Sequence, residues 1–557
     1  MGVDCPSLTP VADSGETLYL AKSHIAAQDP QLPMKFVSDP PIDLKIRKMK
    51  QRVRWLDPSL VERGIDQTRM VLDDGLEESP EFSFLVVGDS GSGPHHSHNP
   101  QRQIAELMLE HRDSCRFLLH TGDVIYLVGS SEYYRENFIK PYREFLVGGE
   151  QPERIAYDQM VFNKPFLPVP GNHDYYDLPF FYGLMAQTTL PLRRLLRLGL
   201  DLSIGWHGSG QGNAYARAFL DYLQALGNKG ELGRHLDRHY TAQTDTGRCL
   251  SYQPGRFTRL PNRYYTFRSG GIDFFALDSS TFNAPLPLPA TREGDNYRRK
   301  LQTRLLEIEQ QKQQILDTSA SLSPERPDEA EILDDCSTKL EHLEEIKLDI
   351  EKQLTSNETT VTDIEQLDWL QQRLIESWNT DSVRGRVIYL HHPPYVTEAT
   401  KWDQAQTLAI RDRLRRVLDA VSDTIGDQAQ GRPTVDLIVS GHAHCLEYLR
   451  TVDTGHADSH LNWIVCGGSG YSLRRQRSEG VELMEQMGDT EGDDTRLVAK
   501  SLLFLGRTGH GSKKRRPYSF LRIDVQDGRP PKFKVRPLLA ERFQRQWSHH
   551  NIEPFVI

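Results

Sequence analysis

Short apolar runs that end at glycine or polar residues recur along the chain and predict buried strands. Residues 84–87 (Phe-Leu-Val-Val) run into Asp89, and residues 117–119 (Phe-Leu-Leu) run toward Asp123. A helical pattern at 104–108 lies between them, so the three elements predict a βαβ unit. Further strands are predicted at 166–170, 272–277, 387–390 and 437–440, and a β-hairpin at 518–525 and 532–535.

Heptad spacing of apolar residues predicts two more helices between residues 292 and 362. The stripe residues are Leu301, Leu305, Ile308, Lys312 and Ile315 in the first helix, and Leu333, Cys336, Leu340, Leu343, Lys347, Ile350 and Leu354 in the second. A proline-containing break at 323–327 separates the two stripes, which predicts an inserted antiparallel helical hairpin. This coiled-coil hairpin could project as an arm for homo-oligomerisation, or it could pack on the body as a lid.

The first 80 residues carry no strand pattern and predict a partly helical N-terminal extension. Ile46, Met49, Val53 and Leu56 form one helical stripe among lysine and arginine side chains. Such a helix could lie on a membrane or an acidic partner, or it could pack on the body with its cations in solvent. Both interpretations leave the extension outside the core.

The predicted order of segments is one α/β core interrupted by insertions. After the extension 1–80, the first part of the core spans 81–291 and contains a mixed, glycine-rich insertion at 190–262. The helical hairpin spans 292–362, and the second part of the core spans 363–557. At 557 residues the chain exceeds a single ordinary core, which favours a core with insertions.

Composition indicates a globular protein without a membrane span. Hydrophobic residues make up 38% of the chain and charged residues 26%, and no apolar run approaches the roughly 20 residues that cross a bilayer. The net charge of −10 argues against general nucleic-acid binding. The six cysteines are scattered, and the first 20 residues lack a signal-peptide core. The chain is therefore predicted to be cytoplasmic, or secreted if its true N-terminus is missing.

Five short motifs at predicted strand ends carry the candidate chemistry. They supply Asp, Asn, Tyr and His side chains and no thiolate, and they are Gly88-Asp89-Ser90-Gly91, Gly122-Asp123-Val124-Ile125-Tyr126, Gly171-Asn172-His173-Asp174, His391-His392-Pro393 and Gly441-His442-Ala443-His444. Each motif alone is a weak signal, because a lone Gly-Asp is usually a turn. Together, at the strand ends where open α/β sheets bind ligands, they predict a site for Zn, Mn or Fe.

This ordered set resembles the calcineurin-like metallophosphoesterases over residues 82–290 and 363–540. The resemblance implies an α/β four-layer sandwich, with two mixed β-sheets flanked by helices, and a binuclear metal centre that hydrolyses phosphate esters. The first motif departs from the superfamily, whose members mostly have Asp-x-His where this chain has Asp89-Ser90-Gly91. Purple acid phosphatases, including the tartrate-resistant type, have a tyrosine three residues after the second aspartate instead. Tyr126 stands there, so the chain is most similar to that subfamily.

The resemblance also implies a role for each ligand. The first metal would be bound by Asp89, Asp123, Tyr126 and His444, and Asp123 would bridge to a second metal completed by Asn172, His391 and His442. In the His-His-Pro triplet we choose His391, because the family places its ligand two residues before the proline.

Charge counting predicts the oxidation state of the first metal. Two divalent cations, two carboxylates, one hydroxide and neutral histidines leave about +1, and a tyrosinate in place of a histidine lowers this to about 0. A trivalent ion restores about +1, so Tyr126 predicts Fe(III) beside a divalent Fe, Zn or Mn. The alternative is that Tyr126 only packs beside the strand end and that both metals are divalent.

The implied mechanism is attack of a metal-activated hydroxide on phosphorus, in line with the leaving group. His173 matches the family's acid histidine and would protonate the leaving oxygen, with Asp174 as its orienting partner. Alternatively, His173 only hydrogen-bonds the fold. The predicted activity is that of a phosphomonoesterase of the acid phosphatase type, acting on a small phosphorylated substrate.

Two other functions stay open. A phosphodiesterase or nuclease could use the same metals, although the nuclease branch normally keeps the Asp-x-His motif. A catalytically inactive fold could act as an interaction platform through the helical hairpin. The basic runs Arg474-Arg475-Gln476-Arg477 and Lys513-Lys514-Arg515-Arg516 predict solvated loops, or surfaces that attract anions.

Overall fold

The structure is a computed structural model that describes residues 38–92, 98–126, 128–177, 208–323, 326–486, 495–510 and 513–557. The expectation that the first 20 residues lack a signal peptide lies outside these ranges, as does part 190–207 of the predicted insertion. The described α-helices are Ile42–Arg52, Pro58–Val61, Pro100–Arg112, Asn213–Phe219, Lys229–His239, Arg292–Ala320, Pro327–Thr355, Ile364–Trp378 and Ala405–Ile425. No helix in the described part of the chain combines the length and apolarity needed to cross a bilayer.

The described strands belong to two sheets. In chain order they are β1 (Ile65–Leu72), β2 (Phe82–Val87), β3 (Phe117–His120), β4 (Phe166–Pro168), β5 (Ala242–Thr244), β6 (Gly247–Tyr252), β7 (Tyr265–Ser269), β8 (Ile272–Ala276), β9 (Gly385–Tyr389), β10 (Leu437–Ser440), β11 (Leu446–Thr451), β12 (Asn462–Cys466), β13 (Glu482–Gln486), β14 (Thr495–Leu505), β15 (Arg515–Gln526), β16 (Lys532–Phe543), β17 (Gln546–Asn551) and β18 (Phe555–Val556).

Both sheets are mixed. The larger has the order β13-β14-β11-β12-β10-β9-β8-β7-β1-β6-β5, and the smaller has the order β17-β16-β15-β2-β3-β4 with β18 on β16. Parallel neighbours include β2 with β3 and β8 with β9, while β15 and β16 are antiparallel. The prediction of a mixed α/β fold with two mixed sheets and flanking helices is confirmed.

The two sheets face each other across an aromatic core. Phe84 of β2 and Phe117 of β3 meet Phe274 of β8 edge-on, at centroid distances of 5.5 and 5.2 Å. Phe267 of β7 stacks on Phe274 at 4.8 Å, and all four rings are buried. Every residue of β3 is buried. Strands covered on both faces have uninterrupted apolar sequences, which is why the apolar runs predicted them.

The predicted βαβ unit and C-terminal hairpin are present. β2 and β3 pair in parallel on either side of the helix Pro100–Arg112. The Asn99 side chain accepts a hydrogen bond from the Arg102 amide, and Pro100 occupies the first turn, so local sequence fixes where this helix begins. β15 pairs with β16 along its whole length.

The N-terminal segment contributes a strand that the sequence pattern missed. β1 pairs in parallel with β6 and β7 inside the larger sheet. It buries polar Gln67 and Thr68, and Gln67 Nε2 donates to the Val53 carbonyl at 2.9 Å. The preceding helix Ile42–Arg52 packs on the body through buried Met49. The helix therefore packs on the body, as one interpretation expected, but the expectation that its cations lie in solvent is wrong for Lys45 and Arg52, which are buried.

Two helices of 29 residues each, Arg292–Ala320 and Pro327–Thr355, are called the first and second long helix below. They contact each other through the buried side chains Ile308, Ile315, Cys336, Leu340, Leu343 and Ile350. The second long helix also contacts the body, because the Asp349 carboxylate accepts hydrogen bonds at 3.0 and 3.1 Å from two backbone amides at the start of the helix Ala405–Ile425. Homo-oligomerisation through 292–362 stays a prediction.

Candidate metal centre

Six of the predicted ligands lie where strands of the two sheets end. In the smaller sheet, Asp89 follows β2, Asp123 follows β3 and Asn172 follows β4; in the larger, His391 follows β9 and His442 and His444 follow β10. β2, β3 and β4 are parallel neighbours, and so are β9 and β10. Their carboxyl ends therefore meet in one place. The six side chains are buried.

The phenol oxygen of Tyr126 lies among the three other side chains expected to bind the first metal. Tyr126 Oη lies 2.9 Å from Asp89 Oδ1, 2.7 Å from Asp123 Oδ2 and 3.1 Å from His444 Nε2. One ligand atom from each of Asp89, Asp123 and His444 lies within 4.8 Å of the others, which is close enough to hold one ion. We call these four residues the first donor set.

The side chains expected to bind the second metal surround His391. His391 Nε2 lies 2.8 Å from Asn172 Oδ1, 3.2 Å from His442 Nδ1 and 3.3 Å from Asp123 Oδ2. We call Asp123, Asn172, His391 and His442 the second donor set. The structure thus brings together all seven predicted ligands as two sets that share Asp123.

The loops of this site contain four of the eleven non-glycine residues with left-handed backbone among the described residues. The candidate ligands with left-handed backbone are Asp89 (φ 53°), Asp123 (φ 54°), His442 (φ 66°) and His444 (φ 47°). Residues other than glycine rarely adopt this conformation, and it is frequent at functional sites. Gly171 permits a close approach, because a Cβ there would lie 2.1 Å from Asp123 Oδ1. The backbone of these loops therefore adopts conformations that bring the donor atoms close together.

The donor atoms outnumber the protons available to them. The Tyr126 hydroxyl carries one proton and can donate it to only one of its three neighbours. The remaining lone pairs face one another in a buried space, which raises the free energy of the folded state unless a cation lies between them. Carboxylate, phenolate and imidazole donors suit Fe, Zn and Mn. The residues present therefore fit a two-metal centre.

Backbone carbonyls orient two of the imidazoles toward the donor sets. His391 Nδ1 lies 2.8 Å from the Thr121 carbonyl oxygen, and His444 Nδ1 lies 3.1 Å from the Ser472 carbonyl oxygen. A carbonyl only accepts hydrogen bonds, so each Nδ1 carries a proton. This leaves each Nε2 facing its donor set, where it would bind a cation in place of a proton, as metal-ligating histidines do.

The charges of the two aspartates favour the protonated forms of Tyr126 and His391. Burial raises the pKa of Tyr126 well above its ordinary value, and the charges of Asp123 and Asp89 raise it further. Burial lowers the pKa of His391, but the charge and hydrogen bond of Asp123 and the charge of Asp89 together outweigh this effect and bring the pKa to about 9. Cations bound at the same place would displace these protons, so metal binding should release protons.

Asp174 and His173 lie beside the donor sets. The Asp174 carboxylate accepts hydrogen bonds from the backbone amides of Gly171 at 2.9 Å and Val124 at 3.1 Å, which ties the second and third motifs together. Burial, together with the charge of Asp123, raises the pKa of Asp174 to about 7. The His173 amide donates to Asp123 Oδ1 at 2.9 Å, and its ring centroid lies 4.4 Å from that of Tyr126.

Sequence reasoning missed two aromatic neighbours of the ligands. His392 Nε2 is buried without a hydrogen-bond partner among the described residues, and His392 forms a second ligand group with His391 and His442. The His-His-Pro triplet was the signal for it. Tyr471 stacks on Tyr126 with centroids 3.7 Å apart and planes 6° from parallel. It holds the phenol ring in place, and no sequence pattern marks it.

Sequence reasoning also missed two cations at the site. Lys401 Nζ lies 3.0 Å from His442 Nε2, and Arg474 Nε lies 3.5 Å from His444 Nδ1. The expectation that the run 474–477 is solvated is wrong for Arg474, which is 6% exposed; Lys514 and Arg516 in the other run are also buried. The reason is that acidic side chains of the second long helix cover these cations.

The sequence matches no protein-family model and no curated protein. Solved structures similar to the chain include a purple acid phosphatase from yellow lupin (Lupinus luteus), with 12% identity, a TM-score of 0.38 and coverage of 86% of this chain. The chain spans about half of that structure's chain, 54%.

Two further structures are similar. PhoD has 12% identity, a TM-score of 0.36 and coverage of 86% of this chain and 70% of that chain. GAP50, described as the anchor in the inner membrane complex of Plasmodium, has 10% identity, a TM-score of 0.34 and coverage of 85% of this chain and 89% of that chain. The purple acid phosphatase and PhoD are both calcineurin-like metallophosphoesterases, the group that the motifs resemble.

Proposed function

We propose that this chain is a binuclear metal-dependent hydrolase of phosphate esters, acting on monoesters in the manner of the purple acid phosphatases. The observation that supports this proposal is the convergence of seven predicted ligands into two donor sets with Asp123 in common. Two adjoining sets that share a carboxylate suit a pair of ions a few ångströms apart, as two-metal hydrolases require.

In this proposal each side chain of the site has a separate role. Cations bound in the donor sets would act as Lewis acids toward a phosphoryl oxygen and a water molecule. His173, whose ring adjoins Tyr126 of the first donor set, would donate a proton to the leaving oxygen. Asp174 would hold the loops that carry Asp123 and Asn172 in register, through its bonds to backbone amides. It would thus be a positioning residue.

Hydrolysis of an aryl phosphate monoester and of the matching diester tests the proposed activity. Protein produced with iron and zinc or manganese is expected to contain about two metal ions per chain and to hydrolyse the monoester faster. A chelator that removes the ions should abolish hydrolysis, and their return should restore it. Faster hydrolysis of the diester would favour the phosphodiesterase. Fewer than one metal per chain, without hydrolysis, would favour the interaction platform.

We further propose Fe(III) in the first donor set, beside a divalent Fe, Zn or Mn. Replacing Tyr126 by phenylalanine is then expected to remove a visible tyrosinate-to-iron charge-transfer band while leaving the fold intact. Absorption spectra and iron content of both proteins measure this. Tyr471→Phe is the matched control, because the Tyr471 ring stacks on Tyr126 without contributing to either donor set. The charge-transfer band should persist in the spectrum of this variant. An active protein that is colourless and free of iron would contradict the metal assignment alone.

A further inference from the structure

The second long helix places a carboxylate between two cations at the candidate metal centre. Glu345 lies 2.9 Å from Lys401 and 3.4 Å from Arg474. Lys401 in turn contacts His442 of the second donor set, and Arg474 lies beside His444 of the first. One side chain therefore separates Glu345 from a predicted ligand in each donor set.

These three charged side chains are buried together. Exposed fractions are 9% for Glu345, 2% for Lys401 and 6% for Arg474. Buried ions raise the free energy of the folded state unless oppositely charged groups neutralise them. Glu345 pairs with both cations, and the charges of Glu398 and Glu341 also act on Arg474. An anion that displaced Glu345 would therefore meet both cations.

The two cations have the chemistry of a phosphoryl-binding site. Arginine presents a planar set of N–H donors that matches phosphate oxygens, and lysine acts as a compact point charge toward them. Coordination of a metal through His442 Nδ1 would leave a proton on its Nε2, which then cannot accept from Lys401. Lys401 would then donate to Glu345 or to a phosphoryl oxygen.

The contact between the second long helix and the body is mainly ionic. Glu331 lies 3.0 Å from both Arg516 and Arg542, and Asp335 lies 3.1 Å from Arg507. Glu331, Asp335 and Glu345 therefore face a basic surface that leads to the candidate metal centre.

The apolar stripe of the second long helix faces the first long helix and not the body. Its buried apolar residues pack against the first long helix, and the apolar cluster it shares with the body is small, comprising Val128, Tyr176 and Leu348. These pairs are buried, but charges that separate into water regain their hydration, and replacing a buried ion pair by apolar side chains is often neutral or stabilising. An interface of this kind can open at lower cost than an apolar one of similar size.

We propose that Lys401 and Arg474 bind the phosphoryl group of the substrate, and that Glu345 occupies their anion site in this closed state. The two long helices would then form a lid that the substrate displaces. This inference rests on the proposed function, because the ligand is taken to be the phosphate monoester dianion that the metal centre would hydrolyse. It assigns substrate positioning to residues outside the two donor sets.

Binding of inorganic phosphate to metal-loaded protein, measured by calorimetry, tests the anion site. Glu345→Gln keeps the side-chain shape and removes the competing charge, so phosphate should bind about tenfold more tightly, a gain of about 1.4 kcal/mol. Lys401→Met and Arg474→Gln should each weaken binding about tenfold. Glu344→Gln is the matched control, because the neighbouring Glu344 pairs at 2.6 Å with Lys312 of the first long helix. The phosphate affinity of this variant should equal that of the unaltered protein.

Amide hydrogen exchange on the unaltered protein tests the lid without relying on any variant to fold. In the unaltered protein, saturating phosphate should raise amide exchange several-fold in peptides of the second long helix. As a separate check, Glu345→Gln should raise exchange in the same peptides without phosphate. Unchanged exchange, or equal phosphate affinity in Glu345→Gln and the unaltered chain, would overturn the proposal. Neither experiment measures hydrolysis. An active phosphatase with these negative results would refute the lid alone, whereas phosphate binding without ester hydrolysis would refute the proposed function.

Discussion

Asp123→Asn is expected to lower the rate of phosphomonoester hydrolysis by about 1000-fold. Asp123 belongs to both donor sets, with its Oδ2 2.7 Å from Tyr126 Oη and 3.3 Å from His391 Nε2. The amide removes a negative charge between the proposed ions, and a loss of about 4 kcal/mol of transition-state stabilisation corresponds to this factor. Steady-state kinetics and metal analysis of the same preparation measure the effect, and we expect metal content to fall as well.

Asp113→Asn is the matched control for this substitution. Asp113 is 80% exposed and pairs only with its neighbour Arg112 among the ion pairs described. The same chemical change should leave kinetics and metal content unchanged there. A folded Asp123→Asn protein that keeps both metals and a near-normal rate would show that Asp123 does not bridge them.

Arg263→Met is expected to lower the free energy of unfolding by about 3–5 kcal/mol, as removal of one partner from a buried ion cluster does. Arg263 is 1% exposed and lies 3.1 Å from Asp278 and 2.5 Å from Asp363. Without the guanidinium, two buried carboxylates are left without their cation. These carboxylates follow β8 and precede the helix Ile364–Trp378, so the cluster joins two elements that are far apart in the chain. Urea denaturation measures the change.

Arg268→Met provides the comparison for this prediction. Arg268 pairs with Asp273 at 2.6 Å, but its side chain is 29% exposed. Pairs that water can reach contribute at most about 1 kcal/mol, so this substitution should have a small effect. Equal decreases in the free energy of unfolding of the two variants would show that burial does not determine how much the Arg263 cluster stabilises the protein.

The strands that carry ligands could be predicted because their signal is local. Each is a short, largely apolar run that is buried on both faces and is followed within a few residues by a ligand, as β3 and β10 are. β1 could not be predicted, because its middle residues Gln67 and Thr68 are polar. They are buried only because hydrogen bonds to Val53 and Asp66 satisfy them, and those contacts depend on the folded chain.

The candidate ligands could be identified one motif at a time, but their surroundings could not. Glu345, Lys401 and Arg474 come from three separate segments, and each resembles an ordinary surface charge in the sequence. Their burial follows from mutual neutralisation across the interface of the second long helix. A basic run such as 474–477 shows its charge in the sequence, but not the carboxylate that covers it.

The pairing of β2 has a consequence for synthesis of the protein. β2 lies between β3, which follows soon after it, and β15, which the ribosome makes near the end of the chain. Until β15 emerges, one edge of β2 has unpaired N–H and C=O groups beside the loop that carries Asp89. An open apolar edge invites pairing with other nascent chains. Productive folding in the cell should therefore depend on chaperones that shield this edge during translation.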